Sequence, residues 1–133
     1  MIQELKIELK EERRRFPRCY TNIKAYFPSD EKPYRVSNVS YRGCFICTNK
    51  KIPRRKLIYF EIEIPDVGRI PIYGIVVHHG TSKNPGLGIE IIEIDKNLTP
   101  VWGLYIKALG YINKAREIYE KTLNEFCSEK ESK

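Results

Sequence analysis

Six runs of β-forming residues, separated by short polar segments that contain proline or glycine, fill the chain between residues 19 and 94. In the fourth run the even-numbered side chains from Ile58 to Ile64 are apolar, whereas Glu61 and Glu63 stand between them. This alternation predicts a strand with one buried and one exposed face. Runs of this length and spacing are typical of an antiparallel barrel or sandwich. The predicted strands are residues 19–27, 34–40, 43–48, 56–64, 69–79 and 86–94.

A helical period replaces this alternation after residue 98. Thr99 is suited to be an N-cap, and Pro100 to be the first helical residue. Apolar residues at spacings of three and four then predict an amphipathic helix from Pro100 to about Ser128, roughly 40 Å long. The stripe consists of Tyr105, Ala108, Ile112, Ala115, Tyr119, Thr122 and Phe126.

This helix is longer than a lid for a small barrel needs to be. We expect its first turns to cap the barrel. The sequence leaves two interpretations of the distal half open: it is only marginally stable, or it pairs with a second copy of the chain as a short coiled coil, which would form a homodimer. The predicted capping residues are Val101, Trp102, Leu104, Tyr105 and Leu109.

The chain therefore divides into three parts: an N-terminal extension of residues 1–12, a β-domain of residues 13–98, and a C-terminal amphipathic helix and tail of residues 99–133. The extension fits two patterns. Leu5 and Leu9 follow Ile2 at helical spacing, but they also alternate with Ile7 as in a strand, so its structure stays open.

Length and composition favour a single soluble domain. The chain has 133 residues, of which 41% are hydrophobic and 31% are charged, which excludes collagen-like and wholly disordered chains. The longest apolar run, Ile70–Val77, is too short to span a membrane, and the N-terminus has no signal-peptide pattern. We expect a cytoplasmic protein without membrane insertion, whose cysteines stay reduced.

The positive charge is concentrated in two short segments. The formal net charge is +7, and residues 10–18 together with residues 50–56 carry +8, so the rest of the chain is nearly neutral. A local excess of this kind predicts an anion site, whereas proteins that bind nucleic acids usually spread charge along a face. Either segment could also be an ordinary solvated loop.

Three motifs follow one another in a defined order. Arg14 to Arg18 has the form RxxxR, Asn38 to Gly43 has the form [D/N]xSxxG at a predicted hairpin, and Gly86 to Ile91 begins a Gly-x-Gly strand. Together they resemble the PilZ domain, the bacterial receptor module for the second messenger cyclic di-GMP. The resemblance covers roughly residues 13–95. It implies a mainly β fold, namely a six- or seven-stranded antiparallel barrel with an N-terminal arginine switch, followed here by the long helix.

The resemblance implies a ligand site whose residue types suit cyclic di-GMP. Arg14 and Arg18 would clamp phosphate and guanine, because a guanidinium makes paired hydrogen bonds to either. Asn38 and Ser40 would read the remaining base edge and phosphate, and Gly43 permits either a positive φ or close backbone approach.

Further arginines bear on stoichiometry. In the family, an arginine just before RxxxR is associated with binding of two intercalated ligand molecules, and Arg13 stands there. Arg15 and Arg42 are additional candidate contacts, since two stacked dinucleotides carry four negative charges.

Other chemistry-bearing residues predict no catalytic or metal site. Cys44 and Cys47 lie three apart on a strand, so they face opposite sides and cannot chelate together. The same holds for His78 and His79, one of which could stack on a guanine near the barrel mouth. No nucleophile elbow, phosphate-binding glycine loop or HExxH motif occurs, so we expect no enzyme, no metal and no cofactor besides the ligand.

The sequence thus predicts a receptor that changes conformation on binding cyclic di-GMP and signals to a downstream protein, which it does not identify. Two other functions remain open. A small-barrel RNA or single-stranded DNA binder would use Lys50–Lys56 and surface tyrosines. A dimeric scaffold without ligand would depend on the helix.

Overall fold

A computed structural model describes residues 19–131, with side chains described as far as residue 126. The predictions made for the extension and for Arg13, Arg14, Arg15 and Arg18 lie outside these residues. Within these described residues the chain forms six strands and one helix. They are β1 (Cys19–Tyr26), β2 (Tyr34–Ser40), β3 (Gly43–Cys47), β4 (Leu57–Ile64), β5 (Gly68–His79), β6 (Gly86–Ile94) and α1 (Thr99–Glu131).

The six strands form a closed antiparallel barrel in the order β1-β2-β3-β6-β5-β4. Closure depends on pairing between β4 and β1, where Lys24 lies opposite Glu63. The hydroxyl of Tyr26 donates to Glu63 Oε2 at 2.8 Å across the same seam. Because no backbone edge is left unpaired in a closed sheet, the barrel is stable against strand addition. The predicted mainly β barrel with a C-terminal helix is confirmed, and it has six strands.

The core is built from inward-facing side chains of all six strands. In β4, Phe60, Ile62 and Ile64 are buried and Ile58 is partly buried, which confirms the predicted alternation. Each strand contributes fully or nearly fully buried apolar residues. These include Ile23, Ala25, Val36, Val39, Cys44, Ile46, Ile70, Ile72, Val76, Leu87 and Ile89.

The helix begins differently from the prediction. Asp95 closes the turn that precedes the helix: its Oδ1 accepts from the amide of Asn97 at 2.8 Å, and its carbonyl accepts from the amides of Leu98 and Thr99. The Thr99 hydroxyl instead donates back to the Asp95 carbonyl at 3.1 Å. The prediction of Thr99 as N-cap was therefore wrong: Thr99 is already the first residue of α1, its hydroxyl donates instead of accepting from a later amide, and the first helical bond runs from the Trp102 amide to the Leu98 carbonyl.

The first turns of α1 cap the barrel as predicted, but with a partly different set of residues. Trp102, Ile106 and Leu109 are buried against the core, and Trp102 Nε1 donates to the Tyr41 carbonyl at 3.1 Å. Leu104, predicted to cap, is 69% exposed. It lies on the opposite side of the helix from Trp102, two residues and about 200° away.

Beyond Asn113 the described side chains of α1 are exposed, including most of the predicted stripe. Asn113 Nδ2 donates to the Tyr20 carbonyl at 3.2 Å, which is a contact to β1 near the end of the packed region. In the part of the chain that the structure describes, no helix has the length and apolar character needed to cross a membrane.

Candidate functional site

A groove lies on the outer surface of the barrel, over β2, β3, β6 and β5. Strand pairing sets Asn38 opposite Phe45, Phe45 opposite Gly88, and Gly88 opposite His78. These four residues form one row across four strands. The groove has a volume of about 800 Å³, which is large enough for a nucleotide-sized ligand.

A bulge in β2 turns Asn38 toward this groove. Val36 pairs with Ile46 and Asn38 pairs with Phe45, so that Ser37 is an extra residue on β2. Val36 and Val39 are both fully buried although they are three positions apart. A regular strand cannot bury both, because side chains alternate between faces. The bulge allows Ser37 and Asn38 to lie together on the outer face, where both line the groove.

Two rings form an aromatic surface in the groove. The rings of Phe45 and His78 are stacked, with centroids 6.0 Å apart and an interplanar angle of 26°. Both lie over glycines of β6. A Cβ at Gly88 would clash with the His78 ring, and one at Gly86 would stand 2.5 Å from ring carbons of Phe45. The Gly-x-Gly sequence of β6 therefore makes room for this pair.

The groove is lined by basic and neutral side chains. Arg35 and Lys83 supply positive charge, and the Arg35 Nη2 contacts Cys47 Sγ at 3.5 Å. No Asp or Glu occurs among the residues that the structure places along the groove. An uncompensated positive potential in a concave surface attracts anionic ligands.

An ion pair holds the loops at the edge of the barrel near the groove. Lys50 Nζ lies 2.8 Å from Asp30 Oδ2, and the Tyr34 hydroxyl donates to the same oxygen at 2.9 Å. Both hydrogen bonds hold the pKa of Asp30 below its usual value, and the bond from Lys50 has the larger effect. The same bond raises the pKa of Lys50.

The basic segment of residues 50–56 is partly engaged with the barrel. Besides the Lys50 ion pair, Arg54 Nε donates to the Val77 carbonyl at 3.1 Å. The Arg55 amide donates to the Val76 carbonyl at 2.7 Å, with Arg55 in the left-handed region at a φ of 70°. Lys51 lines a smaller groove beside the first. The segment is thus a defined connection between β3 and β4.

The structure places the sequence-predicted residues of the hairpin in two environments. Asn38 lines the groove, and its Nδ2 lies 3.4 Å from Ser37 Oγ. Ser40 is 6% exposed, and its hydroxyl donates to the Gly43 carbonyl at 3.5 Å. Arg42 is exposed in the turn, and its carbonyl accepts from the Ile91 amide. Ser40 and Gly43 pair with each other two residue pairs beyond the row of Asn38 and Phe45, and Arg42 lies in the turn that joins them.

The role of Gly43 follows from its neighbours. Its φ is not among the positive values. A Cβ at this position would stand 3.0 Å from the Ile89 carbonyl oxygen and 3.5 Å from Ser40 Oγ. The backbones of β3 and β6 thus lie close together at Gly43, and its predicted role in the ligand site stays a prediction.

The cysteines behave as strand residues. Cys44 is buried in the core, whereas Cys47 lies on the outer face and lines the groove. The prediction that they face opposite sides is confirmed. Among the described residues, no group of three or more His, Cys, Asp or Glu side chains is arranged to hold a metal ion.

Sequence reasoning missed Phe45 and Arg35 as groove residues and gave His78 only as one of two stacking candidates. Regular alternation in β2 would set Asn38 and Arg35 on opposite faces, and only the bulge brings both to the groove. One signal was available: two glycines separated by one residue in β6 indicate that bulky groups lie against that strand.

Comparison with protein families found a match to the PilZ domain over residues 12–99. Comparison with curated proteins gave no match.

Solved structures share the fold at low sequence identity. The Escherichia coli YcgR structure in complex with c-di-GMP has a TM-score of 0.61 and 14% identity, covering 83% of this chain and 50% of that one. The separate PilZ domain of YcgR with c-di-GMP has a TM-score of 0.59 and 15% identity, covering 82% and 98%. The Bacillus subtilis inhibitor of motility, MotI/DgrA, has a TM-score of 0.58 and 16% identity, covering 80% and 52%. This chain thus spans about half the length of YcgR and MotI.

Proposed function

Because this chain belongs to the PilZ domain family, we propose that its barrel is a receptor for cyclic di-GMP and that the ligand binds in the groove over β2, β3, β6 and β5. The observation that carries the proposal is the bulge that turns Asn38 outward, beside stacked rings and basic side chains. One relative, YcgR, has c-di-GMP bound in the same fold in two solved structures, that of YcgR and that of its separate PilZ domain.

The groove offers one partner for each part of this ligand. A guanine presents flat faces that stack on aromatic rings, which Phe45 and His78 supply. Its edges carry donors and acceptors that suit the amide of Asn38. The two phosphates suit Arg35 and Lys83.

The arginine switch completes the site in this proposal. Cys19, which follows directly after Arg18 in the chain, pairs with Val39, the neighbour of Asn38. Arg14 and Arg18 would clamp phosphate and guanine from that side. Ser40 would contact the base edge or phosphate beside Asn38, and Gly43 would keep the floor of the site open. Arg15 and Arg42 are additional contacts. Arg13 would let the site hold two intercalated ligand molecules.

The receptor would act without catalysis. Ligand binding would change the position of the segment of residues 13–18 and so create a surface for a downstream protein. We place the protein in the cytoplasm, as expected from its sequence. We also propose that two copies pair through α1, which has six large apolar side chains exposed beyond residue 110.

Isothermal titration of the full chain with cyclic di-GMP tests the ligand, with GTP and a single-stranded oligonucleotide as controls. We expect saturable binding of cyclic di-GMP alone. Arg14→Ala or Arg18→Ala should each weaken it by roughly five- to 150-fold, about 1 to 3 kcal/mol, because a paired guanidinium contact is lost.

Lys56→Gln is the matched control, since it removes a positive charge from an exposed position outside the groove. Its affinity should equal that of the wild type. If both arginine variants bound cyclic di-GMP as tightly as the wild type, the proposal that Arg14 and Arg18 hold the ligand would be refuted. One ligand per chain in the titration would end the two-ligand hypothesis for Arg13.

If the chain instead bound RNA or single-stranded DNA, the titrations would give the opposite result. It would bind the oligonucleotide with an affinity that falls steeply with salt, and changes in Lys50–Lys56 would weaken it more than Arg14→Ala. The engagement of Lys50 with Asp30 and of Arg54 with the Val77 carbonyl favours the receptor over this alternative.

A further inference from the structure

The helix α1 has two apolar faces that point in different directions. Trp102, Ile106 and Leu109 face the barrel, and Asn113 ends this contact at the Tyr20 carbonyl. Their spacing of four, three and four keeps them on one side of the helix.

The second apolar face lies further along the helix, between residues 111 and 126. At about 100° per residue, its members cover roughly 140° of the helix surface, and their mean direction is rotated by about 140° from that of Trp102, Ile106 and Leu109. The barrel does not cover this face, because every described side chain from residue 111 onward except Asn113 is exposed. Its large side chains are between 43% and 64% exposed. The face consists of Tyr111, Ile112, Ala115, Ile118, Tyr119, Thr122, Leu123 and Phe126.

The centre of this face has a heptad spacing that alternates in size. Large residues at Ile112, Tyr119 and Phe126 alternate with small ones at Ala115 and Thr122. In a parallel pair each residue would meet its own copy, so that wide and narrow layers would alternate. In an antiparallel pair a large residue of one helix meets a small one of the other, and every layer has a similar volume.

Charge also suits a second copy. Residues 111–126 contain three basic and three acidic side chains, so the segment is neutral in a chain of net charge +7. Two neutral segments do not repel each other, whereas the positively charged remainders of two chains do. The antiparallel orientation sets the barrels at opposite ends of the helix pair, which keeps them apart.

From these observations we propose that two copies of this chain form an antiparallel helix pair through residues 111–126, centred near residue 117. Ala115 then packs against the partner's Tyr119, and Ile112 against the partner's Thr122. The inference rests on the pairing proposed above and is independent of ligand binding, so a failed cyclic di-GMP titration would leave it standing.

Light scattering of the full chain after size exclusion tests the pairing, at concentrations up to about 100 μM for an interface of this modest size. The wild type should be a dimer. Tyr119→Glu should be a monomer with unchanged circular dichroism, because it sets a charge in the centre of the face. Asn124→Glu adds the same charge on the opposite side and should remain a dimer. A monomeric wild type, or a dimeric Tyr119→Glu variant, would overturn the pairing.

A photocrosslinking residue tests the orientation. With p-benzoylphenylalanine in place of Phe126, the antiparallel pair should crosslink to the partner's residues near 108–112, as mapped by mass spectrometry. Crosslinks to the partner's residues near 126 would show a parallel pair and refute the orientation, while the light scattering result for pairing would stand.

Discussion

At position 88 the absence of a side chain lets the His78 ring lie against β6. The ring then stacks on Phe45, which lies 33 positions earlier in the sequence and reaches the same row through strand pairing. Asn38 continues that row on the other side. The chemistry of the groove thus depends on single residues that are far apart in the chain.

We expect Gly88→Ala to weaken cyclic di-GMP binding by roughly fivefold or more, because the new methyl displaces the His78 ring and removes a stacking surface. The three atoms nearest to the methyl all belong to the His78 side chain, which can rotate away, so the loss of stability should be small. Titration of a double-mutant cycle checks the cause. In a His78→Ala background Gly88→Ala should have no further effect, and full additivity of the two changes would contradict it.

The ion pair of Asp30 and Lys50 should stabilise the protein in a pH-dependent way. Lys50 and Tyr34 lower the pKa of Asp30 in the folded state, so the carboxylate binds protons less readily there than in the unfolded chain. Its contribution is therefore present above about pH 4 and is lost as pH falls through the folded value. The wild type should therefore have a higher free energy of unfolding than Lys50→Met at neutral pH, and this difference should disappear as the pH falls below about 4.

Lys51→Met is the control for this experiment, since Lys51 is an exposed neighbour of Lys50. Its unfolding free energy, measured by urea denaturation between about pH 2.5 and 7, should run parallel to that of the wild type. A gap for Lys50→Met that does not change with pH would contradict the account.

At the scale of elements, one helix has two contact surfaces because only its first turns lie against the barrel and its distal part extends beyond it. The proximal face closes the end of the barrel through Trp102, which is 1% exposed. The distal face begins at Tyr111, which is 50% exposed. The predicted stripe joins the two, since it begins at Tyr105, which packs against the core, and continues on the distal face to Phe126.

Trp102→Ala should lower the free energy of unfolding by about 3 to 5 kcal/mol, because it empties a fully buried site and removes the hydrogen bond to the Tyr41 carbonyl. Leu104→Ala, two residues away and exposed, should cost less than about 0.5 kcal/mol. Chemical denaturation measures both. Equal losses for the two variants would show that the helix does not cap the core in the described orientation.

At the scale of the whole molecule, a net charge of +7 does not spread evenly. Part of it pairs within the barrel, as at Lys50, and part lines the groove through Arg35 and Lys83. A small anion needs only these local charges, whereas a polynucleotide would engage the full basic surface.

Arg35→Gln should therefore weaken cyclic di-GMP binding by roughly fivefold or more, since it removes a charged hydrogen-bond donor from the groove. Lys56→Gln removes the same charge elsewhere and should leave the affinity within about twofold. Titration at two salt concentrations measures both. Similar losses in the two variants, with a steep salt dependence, would indicate diffuse binding of a polyanion.

Local spacing was sufficient to predict all six strands to within one residue at either end, and the extent of the helix to within a few residues. Side-chain period and turn chemistry are short-range properties, and a sequence records them directly. The motif from Asn38 to Gly43 and its position before a tight turn were also visible in this way. The predicted roles of Arg14 and Arg18 stay predictions.

What only the tertiary structure decided were relations between distant residues. The order of strands around the barrel, the bulge at Ser37 and the stack of Phe45 on His78 all depend on pairing register, which no local pattern specifies. Which face of α1 packs against the barrel is likewise determined only in the tertiary structure. Leu104 and Ile106 are equally apolar, and the angle at which the helix leaves β6 buries Ile106 and exposes Leu104.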